Sequence, residues 1–186
     1  MIVVSTTAKS DLFGLMKGSL KFATEINGVP LCEIANILFV GHKVIGMSND
    51  CYNFFSKYAK DYNVKLIKEL AVEGAFHTRL MSEAVPQIKL TMKNVTFQKP
   101  FCNMYSNLTG KVMCRKTTYI RESLATQVCN PVKWEQIQQL IYKNHKIVNE
   151  KHLFPMYFEI GPGQTLGALW AKISKKAYKN YVHISC

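Results

Sequence analysis

Residues Val29–Ser48 read VPLCEIANILFVGHKVIGMS. Two apolar, strand-like runs lie on either side of Gly41, so the segment predicts a pair of strands joined near that glycine. Upstream, MIVVST (1–6) is a short β-rich run. KSDLFGLMKGSLKFATEI (9–26) then repeats Leu12, Leu15, Met16, Leu20 and Ala23 at helical spacing until Asn27-Gly28 stops it. Downstream, Asn49-Asp50 offers an N-cap for CYNFFSKYAKDY (51–62), where Phe54, Phe55, Tyr58 and Ala59 recur on one face. NVKLIKELAV (63–72) is a last strand. The order is βαββαβ.

That order is the split-βαβ pattern of ferredoxin-like modules, and it predicts residues 1–68 as a subdomain, the section of the chain most able to fold alone. Residues 69–186 follow a different rhythm. RLMSEAVPQIKLTMKNV (79–95) places Leu80, Ala84, Ile88 and Met92 on one helical face, with Pro86 set to kink or start the regular part. CNMYSNLTG (102–110) reads as a strand ending in a turn. TTYIRESLATQVCN (117–130) is a helix stopped by Asn130-Pro131. PVKWEQIQQLIYKNH (131–145) is another, with Pro131 in its first turn. LFPMYFEIGPGQTLGALWAKISKKAY (153–178) reads as strand, glycine turn and helix, and YVHIS (181–185) as a final strand. Strands alternating with helices put the chain in the α/β class.

Composition narrows the function. The chain has 186 residues, 48% of them hydrophobic, which is enough for a real core and argues against disorder. No apolar run approaches the roughly 20 residues of a membrane span, and the start carries neither a secretory signal nor an import presequence. The six cysteines are scattered, without a C-x-x-C pair or a histidine at ligand spacing, so they are expected to be reduced thiols and no metal site is expected. The net charge of +12 suggests an anionic partner. Most of the lysines read as solvated surface. The densest cluster holds Lys172, Lys175, Lys176 and Lys179.

Two motifs tempt a nucleotide or RNA reading. Gly161, Gly163 and Gly167 follow a strand and precede a helix, but the spacing is not G-x-G-x-x-G and no Lys-Ser/Thr follows. A tight strand-to-helix turn explains them better. The βαββαβ half lacks the aromatic pairing of an RNA-recognition module, which leaves a basic nucleic-acid binder as a minor alternative.

His77, in GAFHTRLM (74–81), stands apart from the other four histidines. It follows a strand and precedes a helix, where α/β folds place ligand sites. Residue type alone favours a buried, hydrogen-bonded histidine. Its context adds more. VEGAFHTRLMSEAV (72–85), YSNLTG (105–110), LATQVCNPVKWEQ (124–136) and FEIGPGQTLGAL (158–169) occur in this order and spacing. Together they resemble the second half of malonyl-CoA:acyl-carrier-protein transacylases, with wording closest to the animal mitochondrial form. The resemblance runs through nearly the whole chain. It implies a ferredoxin-like subdomain followed by the C-terminal part of an α/β-hydrolase-like acyltransferase core.

The resemblance implies a ping-pong transfer of malonyl from CoA to the phosphopantetheine thiol of acyl carrier protein in fatty-acid synthesis. His77 matches the family's base, which takes a proton from a serine in a G-H-S-x-G elbow. Gln127 matches a glutamine whose backbone carbonyl orients that ring. Phe76 stands where malonyl-selective members carry phenylalanine. Asn36 matches an asparagine at the small-subdomain side of the cleft, although NILFVGHK follows it in place of the family's NSPGQ. No cofactor is implied beyond the two substrates, and no nucleic acid or membrane. The complete enzyme is expected to be monomeric and to reside in the mitochondrial matrix.

The departures from the family pattern carry their own expectations. No G-x-S-x-G occurs in the chain; GMSND (46–50) lacks the second glycine. The family's malonyl-binding arginine and its glutamine loop precede the matched motifs. The chain alone is therefore expected to be inactive, with an unpaired sheet edge and exposed apolar surface. A fragment that only binds the acidic carrier protein, through Lys172, Lys175, Lys176 and Lys179, is the alternative reading.

Overall fold

The computed structural model describes residues 1–186. The first six elements are β1 (Ile2–Ser5), α1 (Leu12–Glu25), β2 (Cys32–Phe39), β3 (His42–Met47), α2 (Asn49–Tyr58) and β4 (Lys65–Glu69). All strand pairs here are antiparallel, and the sheet order is β2-β3-β1-β4. This is the ferredoxin-like arrangement: β3 lies between β1 and β2, and β4 closes the other side of β1. Gly41 makes the tight β2–β3 connection possible. Its φ of +76° is the left-handed region, and a side chain there would also meet the Thr6 carbonyl at 2.7 Å. One cluster forms the core under α1 and α2, with Val4, Leu15, Ile45 and Phe55 fully enclosed. Each such side chain contributes roughly 1.5–3 kcal/mol by leaving water.

Asp11 caps α1, accepting from the Gly14 amide at 2.8 Å. The cap of α2 differs from the sequence expectation. Ser48, not Asn49-Asp50, stands at that position: it is extended, and its Oγ accepts from the Cys51 amide at 3.2 Å. Asn49 and Asp50 already belong to the helix, and Asp50 accepts from the Val29 amide at 2.9 Å instead.

The rest of the chain is looser. It holds α3 (Ala84–Met92), α4 (Thr117–Thr126), α5 (Trp134–Lys143), β5 (Lys146–Val148), β6 (Lys151–Leu153), β7 (Tyr157–Ile160), α6 (Thr165–Ile173), α7 (Lys175–Tyr178) and β8 (Tyr181–Ile184). Pro86 sits in the first turn of α3, where a missing N–H costs nothing. β7 and β8 pair in parallel, and Phe158 (56% exposed) and Ile160 (70%) of β7 face solvent. No helix is long and apolar enough to cross a membrane.

Four details depart from the sequence reading. CNMYSNLTG forms no strand, only a bridge between Tyr105 and Val112 around a turn, because no third segment pairs with it. α5 starts at Trp134 rather than at Pro131. Val132 is held extended against β2, donating to Ala35 O and accepting from the Ile37 amide, both at 2.8 Å. The last predicted helix breaks at Ser174, which is extended and caps α7 through its hydroxyl. The β5–β6 hairpin turns at Asn149-Glu150, both at positive φ, and lacks the Asn-Gly signal that marks such turns.

Candidate active site

The site grows out of the segment that leaves β4. Ala75 and Thr78 are buried, and the Thr78 hydroxyl donates to Ala75 O at 2.6 Å, closing a tight loop around His77. The loop presses on β3 at Gly46. A methyl group there would lie 2.6 Å from Thr78 Cγ2, so only a glycine allows this approach. Arg79 secures the far side. Its backbone amide donates to Glu33 Oε2 at 2.9 Å, its Nε lies 3.2 Å from Glu33 Oε1, and its Nη2 donates to Pro30 O at 2.6 Å.

Within this loop His77 has φ +63°. Side chains rarely adopt that conformation, which costs about 1–2 kcal/mol, and the surrounding bonds must hold it. A 3₁₀ turn, Gln127–Cys129, at the end of α4 supplies two of them. The His77 amide donates to Val128 O at 2.8 Å, and ring Nδ1 lies 2.9 Å from Gln127 O. A carbonyl can only accept, so geometry assigns the proton to Nδ1 and leaves Nε2 with its lone pair. The half-buried imidazole is thus arranged to take up a proton at Nε2.

Of the four residues singled out from sequence, His77 and Gln127 meet directly. Phe76 adjoins them and is 39% exposed. Asn36 lies on β2 where Val132 pairs with it, five residues beyond Gln127 in the chain. Its Oδ1 is buried with no hydrogen-bond partner, an acceptor available to a donor. The sequence reading missed Thr78, Gly46, Glu33 and the Val128 carbonyl. Their roles depend on long-range contacts with no local signature.

A second feature lies elsewhere. A cavity of about 530 Å³ between α5, β7 and α6 is lined by Trp134, Tyr157, Glu159 and Trp170, and by none of the four singled-out residues. Glu159 accepts from the Leu166 and Gly167 amides at 3.0 and 2.7 Å and from the Tyr181 hydroxyl at 2.6 Å, so it caps α6 from the neighbouring strand. Burial pushes its carboxyl up, but those hydrogen bonds and the nearby His183 outweigh it and hold the group below the usual carboxylate range. Burial, with the hydrogen bond to Glu159 and its charge, pushes Tyr181 up to about 12. Lys176 and Lys179 share a basic groove with Lys151 and His152; Lys172 and Lys175 do not line it. No three His, Cys, Asp or Glu side chains are placed to hold a metal ion.

Comparison with known proteins follows the same line. A human mitochondrial malonyl-CoA-acyl carrier protein transacylase is 37% identical over 152 residues, covering 82% of this chain and 38% of that protein. Over this span the chain is similar to malonyl-CoA–acyl carrier protein transacylases of the mitochondrial type. It spans about two-fifths of the length of the curated relatives it matches. Among solved structures, the transacylase of Coxiella burnetii superposes with a TM-score of 0.79 at 17% identity, covering 97% of this chain and 52% of that one. A malonyl-transacylase solved with a type II polyketide acyl-carrier protein superposes at 0.74 and 19% identity, over 100% of this chain and 54% of that one. These likenesses establish the mixed α/β fold of the chain. No family model matches it.

Proposed function

We propose that this chain supplies the general base of a malonyl transfer from CoA to the phosphopantetheine thiol of acyl carrier protein in fatty-acid synthesis. The observation that carries the reading is the Nδ1 contact of His77 with Gln127 O, which leaves Nε2 to act. A serine hydroxyl gives its proton to Nε2 as its oxygen attacks the malonyl thioester. The C–S bond breaks, and CoA leaves as the thiol with the proton returned by His77. The carrier-protein thiol then gives its proton to Nε2 and attacks the acyl-serine. A new C–S bond forms, the C–O bond breaks, and the serine recovers its proton. With no G-x-S-x-G in these 186 residues, the serine comes from polypeptide outside them.

Phe76 walls the acyl pocket against branched groups, and the free Asn36 Oδ1 takes a donor from the substrate. Residues 1–68 act as the ferredoxin-like subdomain and residues 69–186 as part of the acyltransferase core. The mitochondrial names of the relatives support the matrix as the place of action. The carrier protein is drawn by the charge of +12. No cofactor takes part in the reaction, and the complete enzyme is a monomer.

The test joins this chain to a serine-elbow segment from a relative and measures malonyl transfer to carrier protein. Transfer that vanishes in His77→Ala supports the reading; unchanged turnover overturns it. A second reading, carrier-protein binding without catalysis, draws on the basic groove of Lys151, Lys176 and Lys179. It predicts binding by the chain alone that weakens as salt rises.

A further inference from the structure

The turn that holds His77 is itself held by a residue with no role so far. The carbonyls of Gln127 and Val128 belong to the end of α4, where a helix leaves its last C=O groups without internal partners. They can face His77 only if the chain stops winding and turns away at the right angle. Asn130 brings this about. It is extended, at φ −130° and ψ 149°, and Pro131 after it disfavours any helical continuation. Its side-chain Nδ2 donates to Thr126 O at 2.8 Å, and its backbone amide donates to Gln127 O at 3.3 Å. Gln127 O therefore accepts from Asn130 on one lone pair and from His77 Nδ1 on the other. Two residues on, Val132 is tied to β2 by two backbone hydrogen bonds. The turn is thus anchored at the helix, at Asn130 and at the sheet.

We propose that Asn130 is a positioning residue for His77: its amide holds the Thr126 carbonyl and thereby aims the Gln127 carbonyl at Nδ1, fixing the ring as the Nδ1–H tautomer. Which nitrogen carries the proton is set by the hydrogen bond the other makes, so a misaimed carbonyl releases the tautomer. A histidine protonated on Nε2 cannot accept a proton there. The catalytic consequence rests on the reading of His77 as base; the effect on the tautomer does not.

The experiment reads the two separately. The 186-residue chain is labelled with ¹⁵N-histidine, and the ring nitrogens of His77 are assigned with His77→Gln as the blank. The unaltered chain gives one neutral tautomer, with the proton on Nδ1. Asn130→Ala and Asn130→Asp, which lack the donor, give a mixture of tautomers, whereas Asn130→Ser, whose hydroxyl can donate, keeps Nδ1–H. A turn stabiliser with no positioning role lowers the melting temperature without moving these signals. An unchanged ring in Asn130→Asp overturns the proposal, as does an equal loss in Asn130→Ser; if the alanine variant does not fold, the Asp and Ser pair decides between these outcomes. Malonyl transfer by the serine-completed protein is measured alongside. Transfer without any tautomer change removes the positioning role alone, and a tautomer change in a protein without transfer removes the catalytic reading alone.

Discussion

His77 Nδ1 lies 2.9 Å from the main-chain oxygen of Gln127, fifty residues away in sequence. The acceptor is backbone, not side chain, and so its position depends on the 3₁₀ turn rather than on the identity of residue 127. Gln127→Ala should therefore leave malonyl transfer by the serine-completed protein within about threefold of the unaltered protein. His77→Ala should lower kcat by about 10²-fold or more, the usual size of a general-base contribution. Steady-state kinetics on the two variants checks the contrast.

The contact between Gly46 and Thr78 sets how closely the histidine loop approaches β3. Gly46→Ala puts a methyl group 2.6 Å from Thr78 Cγ2, in a place closed by Ala75 and Ala35. The expected cost is about 1–3 kcal/mol, the range for overpacked cores. Thermal unfolding measures it, and a neutral substitution would mean that the loop can move away.

Ser48 caps α2 with its hydroxyl. Ser48→Ala should destabilise by about 1 kcal/mol, the typical loss for a removed N-cap. Asn49→Ala should cost clearly less, because Asn49 is already within the helix. Denaturant titration of the pair separates the two positions.

Glu159 gives a pH-dependent prediction. Its folded carboxyl is lower than its ordinary value of 4.5, so its stabilising effect is present above that pH and disappears as pH falls through the lowered value. Glu159→Gln should lower Tm at neutral pH, because the amide loses the charge that the Leu166 and Gly167 amides and the Tyr181 hydroxyl face. The gap between the two proteins should close in acid below pH 4.5. A gap that stays constant across that range would show that the charge contributes nothing.

The candidate site was legible in part. His77 and Gln127 belong to motifs that survive as short strings, and those strings alone single them out. Thr78, Gly46 and Glu33 leave no such trace, since each acts across 30 or more residues of chain: Thr78 meets Gly46, and Arg79 meets Glu33. Asn130 reads in the sequence only as a helix stop. Its second hydrogen bond, back to Thr126 O, becomes visible once the turn is folded.

For the fold, periodicity decided the two helices of the first 70 residues, because each has one apolar face to bury and its spacing reports that face. The order βαββαβ in turn restricted the sheet to very few arrangements. In the second half the same reasoning lost the start of α5 and the β5–β6 hairpin. Val132 gave up a helical turn to pair with β2, and Asn149-Glu150 adopted positive φ without a glycine. Local propensity differs between such options by about a kilocalorie per mole or less, whereas a buried backbone group left unpaired costs more, so tertiary hydrogen bonding decided them. The amino-acid order by itself determined which histidine to look at; the packing of two distant loops decided which of its nitrogens is free.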